Sequence, residues 1–372
     1  MVYLRHHLTT ALGMPIARES DDGEGSVGFF FHEGRDKFGN ISNKVFGVSC
    51  AHVLREKTEG TYEFRGAGAP RHHVRVNGPH RFQRGLDEIE VAIGIHEMIA
   101  NIHAKTIDRL KAKELSEDKE EAEEDARELR KAEERLDKQK RVVADLKKFY
   151  KDVKVQWSDI EHRNIGHVHY SPPIAVNEIK GEWFTEDWGT FALQEAKFKA
   201  QFKGNVVDLG TAITPEKLTT TMYPCYGSRT AFKYPKDRLL RINGVVQQEL
   251  LKESVAYDGD GKPCYVVLKD GSATDLTVGR YGGMESFIGD DGVESIEIGI
   301  YSYSKTSGPF VAKGDSGSLI FDGSGRMVGL LHSARSGYFS SAAMVTYATP
   351  AWWLIRRIME KYPHANFNGT AW

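Results

Sequence analysis

Ser316 lies in Gly314-Asp315-Ser316-Gly317, a glycine-flanked serine bordered by Phe310 and Val311 before it and Leu319 and Ile320 after it, which reads as strand, tight loop, strand. A serine hydroxyl is not nucleophilic at neutral pH unless a base takes its proton and a third group orients that base. Two upstream segments offer both. Val48-Ser49-Cys50-Ala51-His52-Val53-Leu54 places His52 among small and apolar residues at the end of a predicted strand. Glu186-Asp187-Trp188-Gly189-Thr190-Phe191-Ala192-Leu193 opens another apolar strand with Asp187. Taken singly, these are an ordinary β-turn, a half-buried histidine and a strand-edge cap. Taken together, in the order His, Asp, Ser and each in a strand context, they point to acyl transfer. Ser316 is then the candidate nucleophile, His52 the candidate base and Asp187 the candidate orienting carboxylate.

The small-Ala-His segment, the Asp-led strand and Gly-Asp-Ser-Gly resemble the trypsin/chymotrypsin-like serine proteases with two β-barrels. Within that group the chain is similar to the uncharacterised intracellular fungal trypsin-like proteins that carry a long helical insertion. The resemblance spans roughly residues 24 to 360. It implies a serine endopeptidase that works through an acyl-enzyme, with the backbone N–H groups of Gly314 and Ser316 forming the oxyanion hole. It places a substrate pocket with its floor at Phe310 and a wall at His332, Ser333 and Ala334. Phe310 departs from the Asp that reads Arg or Lys in trypsin-like members, so a small or apolar residue before the scissile bond is expected. His332 could instead recognise an acidic or amide side chain if it faces the pocket, but strand alternation leaves its direction open. In many secreted relatives the carboxylate before the nucleophile, here Asp315, pairs with a new N-terminal amine. No Ile-Val-Gly-Gly-like start occurs in this sequence, so amine insertion is not the expected switch.

The elements that must position these residues read as a mainly β chain: two six-stranded-type antiparallel β-barrels, an inserted α-helical hairpin and a C-terminal helix. The expected first barrel takes residues 1–86 and 158–200, the helical insertion 87–157, the second barrel 201–349, and the closing helix and tail 350–372. First-barrel strands are expected at Ser26–Phe31, Val45–Cys50, His73–Val76, Ile165–Tyr170 and Trp188–Leu193. Those of the second are expected at Asn205–Leu209, Cys225–Tyr234, Leu239–Val246, Cys264–Lys269, Leu276–Val278, Ser295–Ser304, Leu319–Asp322, Val328–His332 and Met344–Ala348. Pro350 followed by Trp352, Trp353, Leu354, Ile355, Ile358 and Met359 reads as a helix with an apolar face.

Inside the insertion, Leu129, Leu136, Val143, Tyr150 and Trp157 recur every seven residues, with Ala132, Leu146 and Val153 interleaved, which is an a/d seam. Ser116 reads as the N-cap of that helix, with Glu117, Asp118, Glu120 and Glu121 at its start and Lys147, Lys148, Lys151 and Lys154 towards its end. A preceding helix with Ile95, Met98, Ile99, Ile102, Ile107 and Leu110 is expected to fold back on it as a coiled coil. Three roles stay open for this arm: a solvated appendage, a docking or homodimerisation arm, or a lid.

Composition bounds the remainder. The chain has 372 residues, 40% hydrophobic residues and 37 glycines, enough for two cores and an appendage. A net charge of −2 gives no general attraction to nucleic acid, and no apolar run of membrane-spanning length occurs. The first residues have no secretory apolar core, and only Cys50, Cys225 and Cys264 are present. An intracellular, cytoplasmic protein without cofactor is expected. His167 and His169 share a strand face but lack further ligands, so structural histidines are expected rather than a metal site. His72-His73 with Arg71 and Arg75 read as a small basic patch or a barrel loop. Gly259-Asp260-Gly261 and Gly289-Asp290-Asp291-Gly292 read as hairpin turns. Two functional classes remain: a serine endopeptidase acting on protein or peptide substrates, and a latent or self-cleaving scaffold working through its helical arm. An α/β-hydrolase esterase would need the order Ser, acid, His.

Overall fold

The computed structural model describes residues 10–19, 23–66, 68–113, 119–179, 181–223, 232–253, 256–258, 261–290, 293–337 and 340–372. The chain divides into two compact units, residues 79–163 and the remainder on either side of them.

The larger unit is mainly β. Its first strands are β1 (Pro15–Arg18), β2 (Glu24–Ser26), β3 (Phe29–Arg35), β4 (Ile41–Ser49), β5 (Tyr62–Glu63), β6 (His73–Val76), β7 (Asn164–Ser171), β8 (Ala175–Ile179), β9 (Glu182–Glu186) and β10 (Gly189–Leu193). An eight-stranded antiparallel sheet runs β2-β1-β6-β7-β10-β4-β3, with β5 beside β7. Its two end strands are consecutive in the chain and only Val27 and Gly28 separate them. The sheet therefore curls until backbone joins its edges. Phe29, Phe31, Phe46, Val168 and Phe191 are buried in it.

The later strands are β11 (Val206–Asp208), β12 (Leu239–Arg241), β13 (Ala256–Tyr257), β14 (Pro263–Lys269), β15 (Thr277–Asp290), β16 (Val293–Ser302), β17 (Leu319–Asp322), β18 (Met327–Gly337) and β19 (Ser340–Pro350). Strands β14-β15-β16-β19-β18-β17 close on themselves through a β14–β17 ladder, giving a six-stranded antiparallel barrel. Closure brings Val267, Ile298, Ile300, Ile320, Val328 and Trp353 into one core. The expected six-stranded closure is thus met here, whereas the N-terminal sheet has eight strands and no hydrogen-bonded closure among the described residues. Two other expectations are corrected. The runs at Asn205–Leu209 and Leu239–Val246 pair with each other outside the barrel, as β11 and β12. The β8–β9 hairpin was not anticipated. Ser116, Glu117, Asp118, Cys225 with most of the run to Tyr234, Gly259, Asp260, Asp291 and Gly292 lie outside the described residues.

Short helices α1 (Ala51–Leu54), α4 (Glu195–Phe198), α5 (Pro215–Met222) and α6 (Gln248–Leu251) punctuate this unit, and α7 (Ala351–Lys361) ends it, while α2 (Pro79–Ala112) and α3 (Lys119–Trp157) form the other unit. Helix α7 buries Trp352, Trp353, Leu354 and Ile358, and its Arg357 pairs with the buried Glu186 at 2.9 Å. Beyond α7 the chain crosses to the N-terminal sheet. The Tyr362 ring lies 5.1 Å from both Phe31 and Phe46, and Phe367 stacks 5.5 Å from Phe31. Asn366 and His32 exchange backbone hydrogen bonds of 2.9 Å.

The two long helices run antiparallel, as the pairs Glu97–Lys147 (2.6 Å), Lys111–Glu133 (2.9 Å) and Lys113–Asp125 (2.6 Å) require. Ala132, Leu146 and Val153 of α3 are buried, as are Leu86, Ile89 and Ile107 of α2. Of the residues expected to fold back, Ile107 does so, but Ile95, Met98 and Ile102 are exposed. Helix α2 starts at Pro79, earlier than the expected 87, with proline at its first position where the missing N–H costs nothing. The insertion leaves and re-enters at neighbouring ladder positions, because β6 pairs with β7 through Val74↔Gly166 and Arg75↔Asn164.

His167 and His169 are structural. His167 packs edge-on against Phe64 at 4.6 Å, and His169 bonds the Tyr362 hydroxyl at 2.7 Å. Burial, helped by nearby cations that include Arg71 and Lys44, lowers both imidazoles to about 4. In the unfolded chain a histidine titrates near ~6.5. Between those values the unfolded chain binds protons that the fold refuses. Stability should therefore fall as pH drops from about 6.5 towards 4, by up to about 1.4 kcal/mol per pH unit for each histidine. The expected result is a urea midpoint that declines between pH 7.5 and pH 5, and declines less in His169→Gln. A flat midpoint in wild type would contradict it.

Candidate active site

His52 is carried by α1, a single turn that follows β4 directly, and Asp187 lies between β9 and β10. Because β4 and β10 are neighbours, with Ser49 opposite Gly189, the ladder brings the two side chains together. His52 Nδ1 lies 2.6 Å from Asp187 Oδ2, and the His52 backbone N–H donates to Asp187 Oδ1 at 3.2 Å. Burial alone would push the Asp187 carboxyl up; the hydrogen bonds from His52, with the charges of His52 and His332, more than offset this and hold it below the usual carboxylate range. An ionised Asp187 can only accept, so in the neutral imidazole Nδ1 carries the proton and Nε2 keeps its lone pair. The His52 side chain is 40% exposed while that of Asp187 is 7% exposed, so the free ring edge is open to a reactant.

The serine loop is built by two glycines in the left-handed region, Gly314 at φ 108° and Gly317 at φ 85°. The Asp315 N–H bonds the Ala312 carbonyl at 3.1 Å, and the Gly317 N–H bonds the Leu331 carbonyl of β18 at 2.7 Å. Among the described residues, the Gly314 and Ser316 N–H groups donate to no protein acceptor. They remain available to an oxyanion.

The loop is stitched to the segment that leads to His52. The Ser26 N–H donates to the Ser316 carbonyl at 2.8 Å. The Ser26 hydroxyl donates to the Gly314 carbonyl at 3.2 Å and accepts from the Ser272 N–H at 3.0 Å. Ser49 Oγ donates to the Ser26 carbonyl at 2.8 Å. A Cβ on Gly317 would overlap Ser49 Oγ and the Ser26 carbonyl, so only glycine lets the two segments meet. Ser26 was not singled out from the sequence; its only signal there is Gly25-Ser26-Val27-Gly28, where small residues mark a close backbone approach.

Asp315 is wholly buried, and every contact of its carboxylate is internal. Oδ1 accepts the N–H groups of Ala273 (2.9 Å) and Thr274 (3.2 Å), and Oδ2 accepts Ala312 N–H (2.9 Å) and the Thr274 hydroxyl (2.7 Å). The cation facing it is Lys269 of β14, whose Nζ lies 3.3 Å from Oδ2 with both side chains fully buried. Lys269 also donates to Thr274 Oγ1 (2.5 Å) and the Asp275 carbonyl (3.0 Å). Burial pulls the Lys269 amine below its ordinary value, opposed by the Asp315 charge. Sequence reasoning left Asp315 without a cation because its partner sits on a distant strand.

The expected pocket residues divide. Phe310 is buried in the barrel core, 5.9 Å from Lys269 Nζ. His332 is also buried and turns inward, with Nε2 3.1 Å from the buried Glu297 carboxylate and Nδ1 2.9 Å from Ser333 Oγ. Burial would lower this imidazole, but Glu297 and then Asp187 more than offset it and raise it above its usual value. Ser333 and Ala334 are exposed. An open cleft of about 440 Å³ borders α1, lined by Arg18, Leu54, Arg55, Lys57, Tyr62 and His72 among others. Arg18 braces it by donating to the His52 carbonyl at 2.6 Å. The expected basic patch is partly neutralised, since His73 and Arg75 both pair with Glu19 (3.3 and 3.4 Å).

Cys50, His52 and Asp187 offer ligand atoms within 4.8 Å of one another. They do not make a good metal site. Cys50 Sγ donates to the Leu331 carbonyl at 3.1 Å, and burial with the adjacent Asp187 charge pushes its thiol well up, opposing the thiolate a metal requires. Cys264 is also a free, buried thiol, pushed up to about 12 by burial. No helix among the described residues is long and apolar enough to cross a membrane.

No protein-family model and no curated protein matches the chain. Among solved structures it is similar to a glutamic acid-specific serine protease that uses a histidine triad in substrate binding, at 10% identity and a TM-score of 0.41, over 98% of this chain and 100% of the other. Thermobifida fusca protease A matches at 10% identity and a TM-score of 0.35 over 95% of this chain and 96% of its own. The Nocardiopsis protease matches at 9% identity and a TM-score of 0.38 over the same shares, 95% and 96%. At such identity the chemistry has to be read from this chain's own side chains.

Proposed function

We propose that this chain is a serine endopeptidase. The reading rests on one observation above the others: a buried carboxylate fixes His52 through a 2.6 Å bond to Nδ1 and leaves its other edge exposed, beside a loop that presents Ser316 between two left-handed glycines. His52 Nε2 takes the Ser316 proton as Oγ attacks the scissile carbonyl, and the carbonyl oxygen gains the Gly314 and Ser316 N–H groups as it becomes negative. His52 then returns the proton to the leaving amine, and water releases the acyl group by the same steps in reverse. Asp187 stabilises the imidazolium throughout. The substrate is a protein or peptide; Phe310 is packed in the barrel core, so the preference for a small or apolar residue before the scissile bond rests on the resemblance, which puts no carboxylate at that position. The free thiols of Cys50 and Cys264 suit a reducing, cytoplasmic setting.

Labelling with a fluorophosphonate probe tests this directly. Wild type should label and Ser316→Ala should not. A folded wild type that fails to label would overturn the endopeptidase reading and favour a scaffold whose working part is the helical arm.

The arm is assigned a docking or regulatory role rather than a catalytic one. Replacing residues 79–163 with a two-residue turn joins strands that already pair, so the β unit should still fold cooperatively. Hydrolysis of small peptides should persist within a few-fold, with the loss confined to protein substrates. Loss of small-peptide hydrolysis in a folded deletion would assign the arm to the site.

A further inference from the structure

Helix α2 carries two apolar seams, and α3 covers only one. The covered seam includes the buried Leu86, Ile89 and Ile107, and it is fixed in register by His96, whose Nδ1 lies 2.7 Å from Gln139 Oε1 on α3. The second comprises Val91, Ile95, Met98 and Ile102, which are 62%, 47%, 57% and 55% exposed. Their spacing alternates four, three, four, the pattern of a seam that meets another helix. It is offset by two residues from Ile89 and its successors, which turns it about 200° away from α3. Isolated exposed apolar side chains are ordinary, but four in heptad register form a continuous stripe. Beside them Gly94 has nothing within 4 Å of the place a Cβ would occupy, which leaves a hollow next to Met98 and Ile102.

The charges at the two ends of the stripe select its occupant. The next seam position before Val91 is Glu88 and the next after Ile102 is Lys105. Lys105 makes no ion pair among the described residues. Two parallel copies of α2 would set Glu88 on Glu88 and Lys105 on Lys105. Two antiparallel copies set Val91 against Ile102, Ile95 against Met98, and Glu88 against Lys105, each contact made twice. One step further out, Arg84 would face Arg109 of the second copy, which ends the seam. One stripe thus supplies both partners of every apolar contact and both signs of the flanking charge, as an isologous two-fold interface demands.

We propose that the outer seam of α2 joins two copies of this chain, antiparallel, about a two-fold axis passing between Ile95 and Met98. The interface is independent of the Ser316 chemistry. Both helices are already folded within each hairpin, so association has no helix to form, and a dissociation constant in the micromolar range suits a seam of this length.

Sedimentation velocity on the full chain, run across a micromolar concentration series, should show conversion from monomer to dimer. Met98→Glu sits on an exposed face and should keep wild-type helicity while weakening the dimer at least tenfold. Glu88→Lys and Lys105→Glu should each weaken it, and the two together should restore it. Glu88 also pairs with Arg84 at 3.0 Å and with the buried Arg81 at 3.7 Å, so Lys105→Glu alone carries the test if Glu88→Lys loses helicity. A chain that stays monomeric into the high micromolar range, a dimer indifferent to Met98→Glu, or a folded charge exchange that fails to restore association would each overturn the proposal.

Discussion

Ser316→Ala should lower peptide turnover by roughly 10⁶-fold, and His52→Ala by a similar factor, because nucleophile and base act as one unit and removing either disables both. The residual rate should stay above that of water, since the Gly314 and Ser316 amides survive the substitution. Asp187→Asn should lose about 10⁴-fold. The reason lies in the tautomer: an amide can donate to Nδ1, which moves the ring proton to Nε2 and removes the lone pair that faces the serine. Unfolding midpoints separate chemistry from folding. Ser316 is half-buried and its hydroxyl has no partner among the described residues, so Ser316→Ala should change stability by less than about 0.5 kcal/mol. Equal hydrolysis by wild type and Ser316→Ala would remove Ser316 from the reaction.

Lys269→Met should do the opposite, damaging fold and labelling together. The substitution strands the Asp315 carboxylate, wholly buried, without the cation 3.3 Å away. Breaking one side of a buried pair costs about 3–5 kcal/mol. Asp315 anchors the loop between Gly314 and Gly317 through four hydrogen bonds to Ala273, Thr274 and Ala312. Repulsion from the uncompensated charge should therefore move the very amides that would receive an oxyanion. The measurement is a double-mutant cycle read by denaturation and by fluorophosphonate labelling rate. Lys269→Met/Asp315→Asn should recover much of the stability lost in Lys269→Met, because no buried charge is left alone. A Lys269→Met protein as stable and as reactive as wild type would show that Asp315 is held by its N–H donors alone.

What the sequence made legible follows from how locally each feature is encoded. Asp187 and His52 could be placed because β4 and β10 carry apolar runs that are buried almost continuously and whose pairing needs only the ladder to form. The helical hairpin was legible because Leu129, Ala132, Leu136, Leu146 and Val153 repeat along one element. Its second face was not, since a count of apolar positions on α2 gives one amphipathic helix, whereas two seams offset by two residues appear only once α3 covers the first. Ser26 and Lys269 were illegible for a different reason. Each acts on the serine loop across a long stretch of sequence, and a serine near a glycine or a lysine closing a strand carries no local mark of that contact. The pocket expectation at Phe310 and His332 came from the resemblance, carried over by spacing from Ser316. Spacing does not reveal that Glu297, on β16 across the intervening β19, draws His332 inward.

Tyr362 imposes an order on synthesis. Its ring fills the space between Phe31 and Phe46, and its hydroxyl meets Thr190 at 2.9 Å; Phe367 adds a further ring against Phe29 and Phe31. The first sheet to leave the ribosome consequently emerges with a gap in its aromatic core that only residues far downstream can fill. Until they arrive, that half of the molecule must persist incompletely packed, with phenylalanines uncovered. Sensitivity to any change that removes residues 362–367 is built into the way this segment crosses back over the first sheet.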